Sequence, residues 1–171
     1  DDKGEYDVAS EYYKKAREIF EKVLDPLHPS LATTYNNIGS VHCSMGQYDD
    51  ALEYHNKALE IREKVLDPLH TDLAATYGNI GLVYGNKGEC NNALEYYNKA
   101  KEIYEKILPN DSLDLAGLYF FMAVSYVQTQ DLNNALIYLE KSLVGFEKHD
   151  KASAEKIKSI IELLKARVQQ E

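Results

Sequence analysis

The chain has 171 residues, of which 44% are hydrophobic and 27% charged, and this composition favours one folded domain over a disordered segment. Its formal net charge of −9 argues against a nucleic-acid partner, because nucleic acids bind basic surfaces. The same charge argues against anionic membranes, and no apolar run approaches the ~20 residues that a membrane helix needs.

The sequence also bears on the cellular compartment. The N-terminus DDKGEYD does not have the pattern of a signal peptide. The two cysteines, Cys43 and Cys90, fall at non-equivalent places in the repeat described below, which favours two reduced thiols over a disulfide. We therefore expect a cytoplasmic protein.

A repeat of 42 residues dominates the sequence: DPLHPSLATTYNNIGSV begins at Asp25 and DPLHTDLAATYGNIGLV begins at Asp67. Segments 25–66 and 67–108 align without a gap, and 25 of the 42 positions are identical. A fixed period of this length is typical of a solenoid, in which each unit buries its apolar face only against its neighbours.

Each unit is predicted to contain two helices. The first helices begin at a polar residue and end at a tight turn, from His28 to Gly46, from His70 to Gly88 and from Ser112 to Gln130. The second helix stops at a joint such as Asp67-Pro68, because proline cannot continue a helix. The period divides one domain into a half-unit at 4–27 that holds only a second helix, full units at 28–69, 70–111 and 112–150, and an amphipathic capping helix at 151–171.

Small residues occur in the middle of the predicted helices. Glycine at Gly39 and Gly81 costs about 1 kcal/mol relative to alanine in a helix interior. Close approach of a neighbouring helix would offset this cost, so we expect tight helix–helix contacts at both positions.

The pattern Tyr35…Ile38-Gly39…Ala51…Ala58 resembles the tetratricopeptide repeat. The 42-residue form, with its "HP" joint and the motifs "YNN" and "ALEIREKVL", is most similar to the repeats of kinesin light chain. The resemblance implies an all-α fold, a right-handed superhelical solenoid of antiparallel helix pairs. It also implies a concave groove whose inner wall is the first helix of each pair.

The resemblance places a set of polar and apolar residues on that inner wall. Asn37 and Asn79 recur one repeat apart, and an amide can donate to and accept from a peptide backbone. Alternatively, each amide bonds its own or an adjacent helix. Of the adjacent Phe120 and Phe121, one is expected in the core and one in an apolar pocket, although packing against the capping helix is an equal alternative. The candidate groove residues are Asn36, Asn37, Ser40, Asn79, Leu82, Asn86, Phe120, Phe121 and Val124.

The inner wall carries no basic residue, with Lys87 placed at a turn. The carboxylate clamp by which members of this family grip acidic chaperone tails is therefore not expected, and we predict a neutral or basic peptide as the partner. His42, Cys43 and His55 form the one local group of potential ligands or catalytic residues, but both histidines replace tyrosines of the next copy. We therefore predict that the chain is not an enzyme and has neither cofactor nor metal.

The sequence favours a protein–protein interaction scaffold that binds a peptide segment. One alternative is self-assembly, with a homodimer formed through an uncapped N-terminal helix that presents Ala9, Tyr12, Tyr13, Ala16 and Ile19. Another is a regulatory arm of a larger protein. The sequence does not specify the partner.

Overall fold

The computed structural model describes residues 2–169, and within them the chain forms eight α-helices with no strand. In chain order these are α1 (Asp2–Val23), α2 (Pro29–Ser44), α3 (Tyr48–Val65), α4 (Thr71–Asn86), α5 (Cys90–Ile107), α6 (Leu113–Gln128), α7 (Leu132–His149) and α8 (Lys151–Val168).

The helices pack as antiparallel pairs, as the fold-class prediction requires, and that prediction is confirmed. The pairs are α2 with α3, α4 with α5, and α6 with α7. Packing within a pair is more extensive than packing between successive pairs. Helix α1 packs on α2, and α8 packs on α7. Each of these two interfaces is similar in extent to the interfaces between successive pairs.

The joints between units fix where the helices begin and end. The ring Nδ1 of His28 accepts a hydrogen bond from the backbone N–H of Ser30 at 3.1 Å, and His70 caps α4 in the same way. The histidine of the HP joint is therefore a helix cap. At the other end the backbone reverses through a left-handed residue, with φ of 73° at Gly46, 81° at Gly88 and 61° at Gln130.

Tyrosines connect successive pairs. The hydroxyls of Tyr35, Tyr77 and Tyr119 on the first helices donate to Glu21, Glu63 and Glu105 on the preceding second helices, at 2.9, 2.7 and 2.8 Å. The same bond recurs at these three joints because donor and acceptor both follow the period, whereas at the joint of α7 and α8 the equivalent of Tyr119 is Ile161. Burial and the bonded carboxylate raise the pKa of Tyr77 to about 12, so this donor keeps its proton at neutral pH.

The mid-helix glycines lie where the expected close contacts occur. A Cβ atom built on Gly39 would lie 2.9 Å from the ring of His55, and one built on Gly81 would lie 2.6 Å from the ring of Tyr97. A Cβ atom on Gly78 or Gly117 would meet nothing within 4 Å. Gly39 and Gly81 are thus required by packing, as is Gly145 of α7 against Ala116, whereas Gly78 and Gly117 lie beside open space.

Alanine substitutions should separate these two groups. We expect Gly39→Ala and Gly81→Ala to destabilise the protein by about 1–3 kcal/mol, because the aromatic ring of the paired helix must move. We expect Gly78→Ala and Gly117→Ala to stabilise it by up to ~1 kcal/mol, because alanine favours the helix and meets no neighbour. Urea denaturation followed by circular dichroism measures all four variants, and equal effects at all four sites would contradict the packing described.

Candidate functional site

The inner wall is formed by the first helices. The backbones of α2 and α4, and of α4 and α6, approach each other closely, whereas within residues 2–169 successive second helices are joined through side chains, as in the 2.7 Å hydrogen bond from Arg17 to Tyr54. The first helices therefore lie on the side of the array where successive units are closest together. We use the term inner wall for the face of α2, α4 and α6 that carries the nine candidate residues.

At the α2 end the wall is polar, and several of its groups are already bonded. The hydroxyl of Ser40 is exposed and donates to the carbonyl of Asn36 at 3.1 Å, one turn earlier on the same helix. Thr33 and Ser44 bond their own helix in the same way. These hydroxyls are partly satisfied within the helix and have acceptor capacity left for a ligand.

An amide network joins α2, α3 and α4. The side-chain oxygen of Asn36 accepts from Nδ2 of Asn79 at 3.1 Å and lies 3.1 Å from Nδ1 of His55. Because an amide oxygen only accepts, Nδ1 of His55 carries the proton in this arrangement. Asn79 therefore pairs with Asn36 across the joint, the alternative that the sequence left open for it.

Asn37 differs from its neighbour. Its side chain is half-buried, and within the described residues 2–169 it makes no hydrogen bond. An amide in this state has both its donor and its acceptor available to a ligand. Of the two asparagines predicted to bind a backbone, Asn37 is the one left open.

At the α6 end the wall is apolar. Phe120 is half-buried and packs against the buried cluster that includes Ile157, Ile161 and Leu164 of α8. Phe121 is 39% exposed and stacks on Tyr97, with ring centroids 6.3 Å apart. The two adjacent aromatics thus have different surroundings. Val124, one turn after Phe121 on α6, is also exposed.

A cavity of about 320 Å³ opens between α4, α5 and α6. Leu82 and Phe121 line it, and the two glycines beside open space, Gly78 and Gly117, lie on its walls. Asp114 is the charged residue among the residues that line it. The cavity is therefore apolar inside and carries a carboxylate in its lining.

The remaining candidate, Asn86, is the last residue of α4, and Lys87 follows it at the turn. Asn86 is exposed, and its Nδ2 lies 3.4 Å from the sulfur of Cys43. Burial raises the pKa of the Cys43 thiol, which disfavours the reactive thiolate. Lys87 pairs with Asp49 at 2.8 Å and Glu89 at 3.4 Å, and its hydrogen bond to Asp49 raises its pKa.

Sequence reasoning missed Tyr97, Tyr104, Leu113 and Asp114 as parts of this site. The repeat alignment held a usable signal for one of them, since Tyr104 stands where the preceding unit has Arg62. A change from a charged to an aromatic residue at an equivalent position indicates that the two joints differ. Tyr97 and Tyr104 were not singled out because they lie on a second helix, and second helices were assigned to the outer face.

Among residues 2–169 no three His, Cys, Asp or Glu side chains are grouped to hold a metal ion, and both cysteines are free thiols. In the same part of the chain none of the helices combines the length and apolar character needed to cross a membrane.

His55 should make stability depend on pH. Its burial, and then the nearby Arg62 guanidinium, lower its pKa from 6.5 to about 4. The unfolded chain binds this proton first as the pH falls, so the stability that His55 contributes is complete above about pH 6.5 and is lost towards pH 4. We expect the urea midpoint to fall more between pH 7 and pH 4.5 in the parent than in His55→Tyr, which has the residue of the equivalent Tyr97.

Carboxylates titrate in both proteins, so the difference between the two pH profiles isolates the histidine. Parallel profiles would contradict the buried neutral imidazole.

The chain matches the family model described as tetratricopeptide repeat over residues 2–64, 30–106 and 72–148. No curated protein sequence matches it.

Solved structures with the same arrangement of helices include kinesin-light-chain-like proteins. BtubC (BKLC) from P. vanneervenii superposes with a TM-score of 0.77 at 18% identity, over 99% of this chain and 72% of that chain. A putative kinesin light chain from Podosopora anserina with nearly identical TPR-like repeats gives 0.76 at 18% identity, over 99% and 92%. The apo form of RapI gives 0.80 at 20% identity, over 98% of this chain and 45% of that chain. At these identities the similarity concerns the fold alone, and the expected resemblance is confirmed at that level.

Proposed function

Because the chain belongs to the tetratricopeptide repeat family, whose fold generally serves protein–protein interaction, we propose that it is a non-catalytic scaffold whose inner wall binds a neutral or basic peptide segment. One observation carries the proposal: the inner wall combines an open amide at Asn37 with exposed apolar side chains at Phe121 and Val124. Exposed groups of this kind on a rigid array of helices are usual binding elements.

The charge of the wall supports the choice of peptide. None of the nine candidate residues is charged, and Lys87 at the edge is occupied by two carboxylates. With a chain charge of −9, an acidic peptide would meet repulsion and find no free cation among these residues. A neutral or basic segment would not.

A peptide-display selection tests the groove. We expect peptides retained by the parent to be lost by the double variant Asn79→Arg, Phe121→Glu, because it places charges at the polar and apolar parts of the wall. The matched control is Asn56→Arg, Ile137→Glu, which makes the same types of change at exposed positions of α3 and α7. The control should keep the peptides. Circular dichroism verifies that both variants are helical.

Loss of the same peptides from both variants, or from neither, would contradict binding at the inner wall. Selection of predominantly acidic peptides would contradict the charge argument.

A second candidate function is self-assembly through α1, and the exposure of its apolar residues favours it. Ile19 is 58% exposed, whereas its repeat equivalents Ile61 and Ile103 are 6% and 8% exposed. Tyr12 is 70% exposed, although the equivalent Tyr54 is half-buried and stacks on His42. Helix α1 thus exposes the apolar face that α3 buries against α2 and that α5 buries against α4.

Self-assembly predicts that the mass measured by light scattering rises with protein concentration for the parent and stays constant for Ile19→Lys. Ile137→Lys on α7 is the control, because Ile137 is an isoleucine of similar exposure outside α1. A parent that stays monomeric over the whole series would count against this candidate.

The predicted unit boundaries, including a capping helix at 151–171, remain part of this proposal. Lys158 and Lys165 of α8 stand where α6 has the buried Ala116 and Ala123. They form ion pairs with Glu147 at 3.0 Å and Glu140 at 2.7 Å on α7. Lysines at these positions suit a helix that ends the array, because they stay at the surface where another unit would need small residues. Cytoplasmic localisation likewise remains a prediction.

A further inference from the structure

Two joints of the array are equivalent in position and different in chemistry. We call the packing of α2 and α3 against α4 the first joint, and the packing of α4 and α5 against α6 the second joint. Because the repeat is 42 residues long, every side chain of the first joint has an equivalent in the second. Differences between the two sets therefore show what each joint is built to do.

Several polar side chains of the first joint bond one another. Besides the amide pair of Asn36 and Asn79, this joint contains Arg62, which is only 7% exposed. The Arg62 guanidinium donates to the carbonyl of Asp72 at 3.0 Å and to the hydroxyl of Thr76 at 2.6 Å. Its other terminal nitrogen lies 3.8 Å from the Asp72 carboxylate. The first joint thus contains a cation that lies beside its carboxylate, and it contains side chains that fill the space between its helices.

The second joint lacks these groups. Gly78 replaces Asn36, Tyr104 replaces Arg62 and Leu118 replaces Thr76. The carboxylate alone is kept, as Asp114 in the place of Asp72. Asp114 is exposed, and within the described residues 2–169 its carboxylate has no ion pair and no hydrogen bond. The internal cation has been lost while its anionic partner remains.

The cavity of about 320 Å³ lies at this second joint. Its size is at the lower end of the ~300–1,000 Å³ typical of ligand pockets, which suits a single large side chain. The apolar part of the lining comes from aromatic and aliphatic residues: Leu82, Tyr97, Tyr104, Leu113, Leu118 and Phe121. No lysine or arginine lines the cavity, so no cation of its lining pairs with Asp114. Burial, and then the charge of the Asp114 carboxylate, raise the pKa of the neutral Tyr104 hydroxyl to about 12.

We infer that this cavity binds a bulky aliphatic or aromatic side chain of the peptide, with an adjacent lysine or arginine of the same peptide paired to Asp114. The inference rests on the function proposed above and specifies its ligand. The peptide supplies at the second joint the filling and the cation that Asn36 and Arg62 supply at the first. The anchor is apolar because Phe121 and Leu118 stand where the first joint has Asn79 and Thr76.

Asp114 also lies in the first turn of α6, where a carboxylate stabilises the positive end of a helix. That role is independent of any ligand. If it were the sole role, Asp114→Asn would leave the preference for arginine over glutamate beside the anchor unchanged. The effect of this substitution on that preference is therefore the decisive variable.

Three capped dipeptides test the inference: N-acetyl-Phe-Arg-amide, N-acetyl-Phe-Glu-amide and N-acetyl-Gly-Arg-amide. Each is titrated into the full chain labelled with nitrogen-15, and the amide signals of Gly78 and Gly117 are followed by NMR. We expect saturable shifts with Phe-Arg, binding weaker by about fivefold or more with Phe-Glu, and no saturable shift with Gly-Arg.

The main variant grafts the first joint onto the second, as Gly78→Asn with Tyr104→Arg. Both residues are accommodated at the equivalent positions 36 and 62, and together they fill the cavity and neutralise Asp114 internally. We expect this variant to lose Phe-Arg binding. Asn56→Arg, which adds the same charge at an exposed position of α3, should retain it.

A second variant, Asp114→Asn, keeps the cavity and removes its charge. We expect it to bind Phe-Arg and Phe-Glu about equally. Unchanged Phe-Arg binding by the grafted variant overturns the inference, as does equal binding of Phe-Arg and Phe-Glu by the parent, or no saturable shift with any probe. If display-selected peptides bind the grafted variant as well as they bind the parent, the groove function stands and the cavity is not its anchor.

Discussion

The contact that the structure depends on is a flat ring against a glycine. The rings of His55 and Tyr97 lie so close to Gly39 and Gly81 that a Cβ atom would stand 2.9 or 2.6 Å away. The approach brings α3 close to α2 and α5 close to α4 and so sets the geometry of these two pairs, whereas the third pair has Ala123 and Leu139 at the equivalent positions. Once the pair is rigid, the 42-residue period brings equivalent side chains to equivalent places, and the tyrosine–glutamate bonds hold successive pairs at a constant offset.

A regular array of this kind makes departures from the repeat informative. Where the sequence repeats, the packing repeats. Where it does not, as at Asn36 and Gly78 or at Arg62 and Tyr104, one joint is closed and polar and the next is open and apolar. In a protein built from nearly identical units, chemical specificity arises at such positions, because the shared residues are occupied in holding the units together.

The fold was largely predictable, and the site was predictable only in part. Helical spacing, glycine turns and the HP joint locate every helix to within a few residues, because each is a local property of the chain. The inner-wall residues followed from the family resemblance. Their states did not: that Asn79 bonds Asn36 and that Asn37 is left open depend on distances between atoms that the sequence does not encode locally.

The sequence by itself determined that this chain is an array of helix pairs, since a repeated apolar pattern can be buried only against a copy of itself. It also determined the sign of the charge and the absence of cations from the candidate residues of the inner wall. Tertiary structure alone decided which polar groups satisfy one another and where space remains. Those properties depend on side chains of different helices meeting across a joint, as Arg62 meets Thr76 and Asn36 meets Asn79, and a gap such as that beside Gly78 exists only once three helices surround it.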